Sequence, residues 1–225
     1  MRISPTLSLL LLTLVACHSD ERPLPNASGA PGEVLVVMDK GHWESDAGAA
    51  VRGVLEQYFI RLPQREAHFR VAQCTHGQFG GLLQHHKNIL LTDIGPAFDS
   101  VSVQKQVDRY ARGQVVVQIT APDVAQWITA IQQRADRVQD IFDKAERERL
   151  IASLHRAHDQ ALTSSIEARH QFIVEVPEGF QVAKESGNMT WLRRQRLVSG
   201  AGLEHTVQEG LLIYHHPYVS DSTFT

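Results

Sequence analysis

Apolar positions in the first half of the chain come as short continuous runs separated by polar punctuation. Residues 33–39 (EVLVVMD), 88–94 (NILLTDI) and 113–120 (GQVVVQIT) are near-unbroken apolar segments of strand length, the pattern of strands buried on both faces. Residues 68–74 (HFRVAQC) alternate instead and read as a further strand. Ahead of them Ala50, Val51, Val54, Leu55, Tyr58 and Phe59 recur at helical spacing behind Ser45 or Asp46, either of which caps a helix by accepting a backbone N–H. The segment RLPQ breaks that helix, and GQFGGLLQHH allows a short one weakened by its glycines. A polar connection follows Gly95-Pro96. The order β-α-β-α-β-β predicts one sheet with helices on at least one face.

The second half opens with a helical pattern, APDVAQWITAIQQ, with Pro122 near its first turn. Helical spacing persists to about Arg169, which is long for a globular helix, so a break is expected near Arg134–Val138. The second helix, about 138–168, carries Ile141, Phe142, Ala145, Ile151, Leu154, Ala161, Leu162 and Ile166 on an apolar stripe, and its other face is charged, with i, i+4 pairs such as Lys144–Glu148. Strand-like segments follow at 170–177, 180–184, 187–197 and 209–218, separated by turn chemistry at Pro177-Glu178-Gly179 and Ser186-Gly187-Asn188. The expected class is α/β to α+β: a mixed sheet with flanking helices, then a long helical segment and antiparallel strands. The expected division is an α/β subdomain over 33–121 and a helical plus antiparallel β subdomain over 122–225.

The apolar run at the start, Leu7 to Ala16, is ten residues long. At ~1.5 Å per residue it reaches roughly half of a ~30 Å hydrocarbon core, too short to cross. A lone Arg2 precedes it and a small Ala16 ends it, the layout of a secretory signal peptide over residues 1–16. Leu14-Val15-Ala16-Cys17 resembles a bacterial lipobox, which implies cleavage before Cys17, diacylglycerol on its sulfur and acylation, as with palmitate, of its amine. An ordinary cleaved signal that happens to contain a cysteine is the plain alternative. Two or more acyl groups hold a protein stably on a bilayer where one does not. Residues 17–32 then read as a lipidated tether: three Pro, two Gly and no apolar periodicity in HSDERPLPNASGAPG, a leash on the order of 20 Å end to end.

Cleavage removes one charge, Arg2, and leaves 21 basic against 25 acidic residues, net −4 with neutral histidine. That balance lacks the electrostatic footprint of a nucleic-acid binder. With Cys17 lipidated, Cys74 has no partner for an intrachain disulfide and reads as a small core residue. The expected partners are the membrane, through Cys17, and an envelope protein or glycan. Residue 18 is His rather than the Asp that often retains lipoproteins in the inner membrane, which favours the periplasmic face of the outer membrane.

The segments GEVLVVMDKGHWES, RLPQREAHFRVAQ, HHKNILLTDI, VVVQITAPD and GLLIYHHPYVSDSTFT resemble the domain of unknown function 4837 family of bacterial envelope lipoproteins. The resemblance implies location but no catalytic residues, since the family has no established activity. It also implies a C-terminus short of the family's, whose members continue past the equivalent of DSTFT.

Candidate chemistry sits at strand ends. Asp39 closes the first apolar run, before Lys40, Gly41, His42 and Trp43, and Asp93 lies near the end of the run at 88–94. Ligands of open α/β sheets gather outside the carboxyl ends of the strands. If these two strands are parallel neighbours, Asp39 and Asp93 converge with His42 nearby, a set able to hold a divalent cation or share acid–base work. The plain alternative is that both aspartates are turn residues and Trp43 packs the first helix. Twelve histidines invite a metal reading, but the pairs His85–His86 and His215–His216 are adjacent, and neighbours on a strand point to opposite faces. His155, His158 and Asp159 share a helix face by spacing, without an HExxH pattern. No GxSxG elbow or P-loop occurs, and no cofactor is implied. Cys74 has His68 and His76 nearby in sequence, a conceivable thiolate–imidazole pair that burial in a strand argues against. In WLRRQR, alternation puts Arg194 and Arg196 on one face and Trp191 with Arg193 on the other, a grip for an anionic glycan or lipid headgroup or else a solvated strand face. The two functional readings are a non-enzymatic envelope binding or assembly module, and a hydrolase or metal-dependent enzyme using Asp39, His42 and Asp93.

Overall fold

The structure is a computed structural model that describes residues 23–59, 62–200 and 202–220. The fold is mixed α/β: a five-stranded mixed sheet with flanking helices, then a three-stranded antiparallel sheet. The protein forms two compact units, the first ending at Phe142 and the second beginning at Asp143. The boundary lies inside one helix, and the amphipathic segment after residue 121 belongs to the first unit.

In the first unit the strands are β1 (Glu33–Val37), β2 (Arg70–Cys74), β3 (Asn88–Ile94), β4 (Ser102–Val107) and β5 (Val115–Ala121), in sheet order β2-β1-β3-β5-β4. The first three and β5 run parallel, and β4 closes the edge antiparallel to β5. The apolar runs expected as buried strands are the three central ones. The segment expected as a polar connection contains β4, whose Gln104 and Lys105 are exposed. An edge strand covered on one side has no need of a continuous apolar run.

Helix α1 (Lys40–Trp43) is a single turn after β1, and α2 (Asp46–Leu55) follows with Ser45 as its cap, Oγ accepting from the Ala47 N–H at 3.3 Å. Helix α3 (Val124–Gln133) is capped by Asp123, which accepts from the Gln126 N–H at 2.8 Å. Trp127 is fully buried and donates its indole N–H to the Ile119 carbonyl at 3.2 Å. The expected break falls at Arg134, between α3 and α4 (Ala135–Arg156). Helices α2 and α3 touch each other and cover one face of the sheet. On the other face Leu35, Val37, Cys74, Ile89, Leu91 and Val116 form a core covered by Phe79 and Tyr110, whose rings meet edge-on at 5.5 Å. The loops bearing those rings are pinned by Gln114, which is fully buried. Its amide donates to the carbonyls of Gln84 (2.7 Å) and His86 (2.6 Å) and accepts from the Tyr110 N–H (3.0 Å).

The expected tether is shorter than its composition implies. Pro25 to Gly32 are bonded to the amino-terminal ends of the strands: Arg112 N–H to Pro25 O at 2.7 Å, Ser28 N–H to His85 O at 2.7 Å, Lys87 N–H to Ser28 O at 2.8 Å, and Arg70 N–H to Gly32 O at 2.8 Å. Backbone groups at strand ends need partners, and a segment without large apolar side chains supplies them as well as any other. Gly29, at φ +105°, lies against His86, where a β-carbon would stand 2.8 Å from Nε2.

In the second unit α4 ends at Arg156, and α5 (Gln160–His170) begins after Asp159, whose carboxylate accepts from the Leu162 N–H at 2.9 Å. The single helix expected over 138–168 is therefore two, because the Asp159 cap starts a new one and the Asp159 N–H turns to the Val176 carbonyl at 2.8 Å. No strand forms over 170–177. Gln171, at φ 62°, ends α5 in the left-handed conformation, and the segment beyond contributes Val174 and Val176 to the core. The meander is β6 (Gln181–Ser186), β7 (Met189–Gly200) and β8 (Leu203–Tyr214), in that order. One of its faces packs Leu192, Leu211 and Ile213 on α5 through Ile166 and Leu162. His215 and His216 lie beyond β8, so the expected strand around them ends earlier.

Candidate functional site

Sheet order places the site. From β1 the path goes to β2 on one side, and from β3 it goes to β4 and β5 on the other. The carboxyl ends of β1 and β3 are thus a topological switch point, where connections diverge and leave the strand ends open. The register explains which side chains stand there. Val37 pairs with Cys74 on β2 and with Leu91 on β3, so two residues onward Asp39, His76 and Asp93 share one row and one face.

The three side chains meet. His76 Nδ1 lies 3.1 Å from Asp39 Oδ1 and Nε2 lies 3.3 Å from Asp93 Oδ1. Asp93 also accepts from the Gln118 amide at 2.7 Å, Gln118 accepts from Arg109 at 3.2 Å, and the Arg109 guanidinium lies 4.9 Å from the Tyr110 ring centroid. Beneath this series the β1 terminus is held from both neighbours. The Gln73 amide donates to Met38 O at 2.7 Å and the Thr92 hydroxyl to Val37 O at 2.7 Å. Protonated, His76 donates to both carboxylates; neutral, it donates to only one. An imidazole separates the two aspartates, so a single calcium ion at about 2.3–2.6 Å from both requires the ring to leave. Among the described residues no group of three or more His, Cys, Asp or Glu is arranged to hold a metal ion. Two hollows of this unit, about 340 Å³ beside α3 and about 510 Å³ between α2 and α3, include none of these three residues in their linings.

Of the residues singled out by sequence, Asp39 and Asp93 come together. His42 and Trp43 sit on α1. His42 contributes its carbonyl, which accepts from the Ser45 hydroxyl at 2.8 Å. Trp43 carries the Arg52 guanidinium 4.6 Å from its ring centroid, a packing contact with α2. His76 is the residue sequence reasoning left out of the site. The available signal was its position, two beyond the end of one strand as Asp39 is two beyond another. Cys17 lies outside the described residues, as does the expected signal segment 1–16.

The other candidates resolve as structure. Cys74 is buried under the loop face, and burial pushes its thiol pKa up, against a thiolate. His86 is fixed between Asn88 O (3.2 Å) and Glu33 Oε1 (2.7 Å). His155 sits in the last turn of α4 and faces Glu175 at 2.5 Å, whereas His158 lies in the break between helices. Lys144 and Glu148 form the expected i, i+4 pair at 3.9 Å. Arg194 and Arg196 share a face as expected, but both bind Glu209, at 2.6 and 2.9 Å. Their hydrogen bonds hold its carboxyl below the usual range. The second unit also contains a buried His170 with Nδ1 3.1 Å from His215 Nδ1 and Nε2 2.8 Å from the Thr190 hydroxyl. Burial, then His215 and Arg169, lower its pKa.

The profile of a family described as Domain of unknown function (DUF8532) matches residues 27–155. No curated protein and no solved structure matches the sequence.

Proposed function

The chain belongs to the domain of unknown function 8532 family, and from that premise we propose that it is a lipid-anchored envelope protein that binds a ligand at the carboxyl ends of β1 and β3 without turning it over. The matched family is not the 4837 family, so the support for the envelope is the N-terminal sequence: a short apolar run, the Leu14–Cys17 lipobox and His18. On this reading acylated Cys17 holds the protein on the periplasmic face of the outer membrane, and its partner is an envelope protein or glycan.

The observation that carries binding over catalysis is the position of His76. Both ring nitrogens face carboxylates, so neither is turned toward the open crevice, and the nearby thiol of Cys74 is buried. Each aspartate meets His76 through its Oδ1 alone, so the pair keeps acceptor capacity for a cationic group, such as a ligand amine, bound beside the ring rather than between the two. The competing reading, a hydrolase or metal-dependent enzyme using Asp39, His42 and Asp93, has the convergence of the two aspartates in its favour but lacks His42 beside them.

Two experiments test the proposal. Labelling with a radiolabelled fatty acid should mark the wild type and leave Cys17→Ser unmarked; an intact Met1 by mass spectrometry sinks the anchor. For the site, melting of the full-length protein is followed with spermidine and with calcium, in wild type and in Asp39→Asn/Asp93→Asn. A rise in Tm with spermidine that the double variant loses, at unchanged basal Tm, supports the binding site. A variant that only melts lower makes the aspartates structural, and a calcium response lost in the variant moves the assignment to the metal reading.

A further inference from the structure

The open face of the second unit's sheet gathers aromatic, amide and cationic side chains that take no part in the crevice at β1 and β3. On that face Trp191, Arg193 and Gln195 of β7 stand opposite Leu212, Gly210 and Gln208 of β8, and Lys184 of β6 is paired across from Trp191. The other face is closed. There Arg194 donates to Glu178 O at 3.1 Å and lies over the Phe180 ring at 4.8 Å.

Gly210 shapes the open side. Its backbone needs no glycine, since its φ is not in the left-handed region. What it provides is space: a β-carbon would stand 3.4 Å from the Trp191 indole nitrogen, so the indole leans across the position a side chain would fill. Aromatic cover of a strand glycine is a stabilising device in itself, and it accounts for the indole. It does not account for the groups around it. A hollow of about 260 Å³ is bordered by Trp191, Arg193, Gln195, Gln208 and Gly210 and also by Arg194 and Glu209, just under the roughly 300 Å³ at which pockets begin to take drug-sized ligands. Among the described residues, the side-chain polar atoms of Trp191, Arg193, Gln195 and Gln208 have no protein hydrogen-bond partner. Glu209, the one carboxylate bordering the hollow, is held by Arg194 and Arg196 on the opposite face, which leaves Arg193 and Lys184 as the cations without an acidic partner here.

We propose that this face binds an acidic pyranose through Trp191, Arg193, Gln195 and Gln208. The axial C–H face of a pyranose is apolar and electropositive and packs on an indole ring. Side-chain amides offer a donor and an acceptor to vicinal hydroxyls, and a guanidinium takes a carboxylate in a two-point bond. A phosphate headgroup would use the cations alone and leave the indole and amides idle.

The test is calorimetric titration of the full-length protein in detergent with tetragalacturonate, alongside α-1,4-linked galactotetraose as the uncharged analogue and glycerophosphoglycerol as the soluble lipid headgroup. Tetragalacturonate should bind saturably, and galactotetraose about tenfold more weakly or worse, the loss of one charge-assisted bond. Trp191→Ala, Arg193→Gln and Gly210→Val should each weaken tetragalacturonate about tenfold, with Trp43→Phe unchanged. Should Trp191→Ala disturb the sheet by circular dichroism, the surface changes Arg193→Gln and Lys184→Gln carry the test. Absence of saturable binding, binding indifferent to these changes, or competition by glycerophosphoglycerol overturns the proposal.

Discussion

Replacing Gln114 by Leu should loosen the whole loop-covered face of the first unit. The substitution nearly preserves volume but removes one acceptor and two donated hydrogen bonds. It strands the carbonyls of Gln84 and His86 and the N–H of Tyr110. Each lost neutral bond costs about 1 kcal/mol, and a buried group left without a partner costs about 1–3 kcal/mol. The His86 bond is the buried one and the other two are partly exposed, so the total comes to roughly 3–5 kcal/mol. That is a large share of the ~5–15 kcal/mol of a typical domain. With a urea slope of about 2 kcal/mol/M, the midpoint should fall by about 2 M. The assay is urea unfolding by fluorescence in a Trp191→Phe background, where the remaining Trp43 and Trp127 both report on the first unit. The same variant should alter the crevice, because Tyr110 carries Arg109, which reaches Asp93 through Gln118. A midpoint shift below about 0.5 M, equivalent to roughly 1 kcal/mol, would refute the assignment of these bonds as what fastens the loops.

Other expectations follow from single residues. Burial, then His215 and Arg169, lower the pKa of His170 in the fold, where Thr190, Phe172 and Glu185 also surround it. Its stabilisation is therefore full above the ordinary histidine pKa and is lost as pH falls through the lowered one. Urea midpoints of the second unit, read by Trp191, should drop between about pH 7.5 and 5, and His170→Gln should flatten that slope; a rise on acidification contradicts it. Cys74 should resist iodoacetamide in the native protein at pH 8 and react on unfolding, since burial raises its thiol pKa; native labelling at the denatured rate would show an open thiol. A β-carbon at Gly48 would run into the Trp43 carbonyl, so Gly48→Ala should separate α1 from α2 at about 1–3 kcal/mol, visible as a changed Trp43 emission with Trp127 unaffected.

Three central strands were legible because burial on both faces demands unbroken apolar runs, and Val34–Val37, Ile89–Leu91 and Val115–Val117 satisfy it. Ser45 was legible as a cap for an equally local reason. What was not legible is nonlocal. β4 is polar because one side is open, so Gln104 and Lys105 look like loop. The α4–α5 break depends on Asp159 finding Val176, and the missing strand over 170–177 depends on Gln171 reversing the backbone. At the crevice, Asp39 and Asp93 could be paired on the assumption of parallel neighbours, which the register satisfies. His76 needed knowledge that β2 lies on the far side of β1, a fact of strand order that no local pattern encodes.

The bonding of Pro25 to Gly32 along the amino-terminal ends of the strands has a bearing on how the molecule would stand at a bilayer. With Cys17 acylated as proposed, the bonded segment begins at Pro25, eight positions past the anchor, and not at the first strand. The mooring leaves from the end of β1 opposite to Asp39, and at ~3.3 Å per residue the span from Glu33 to Asp39 adds about 20 Å. The aspartates of the first unit would accordingly look outward into the surrounding compartment, available to a visitor arriving from solution and turned away from the lipid.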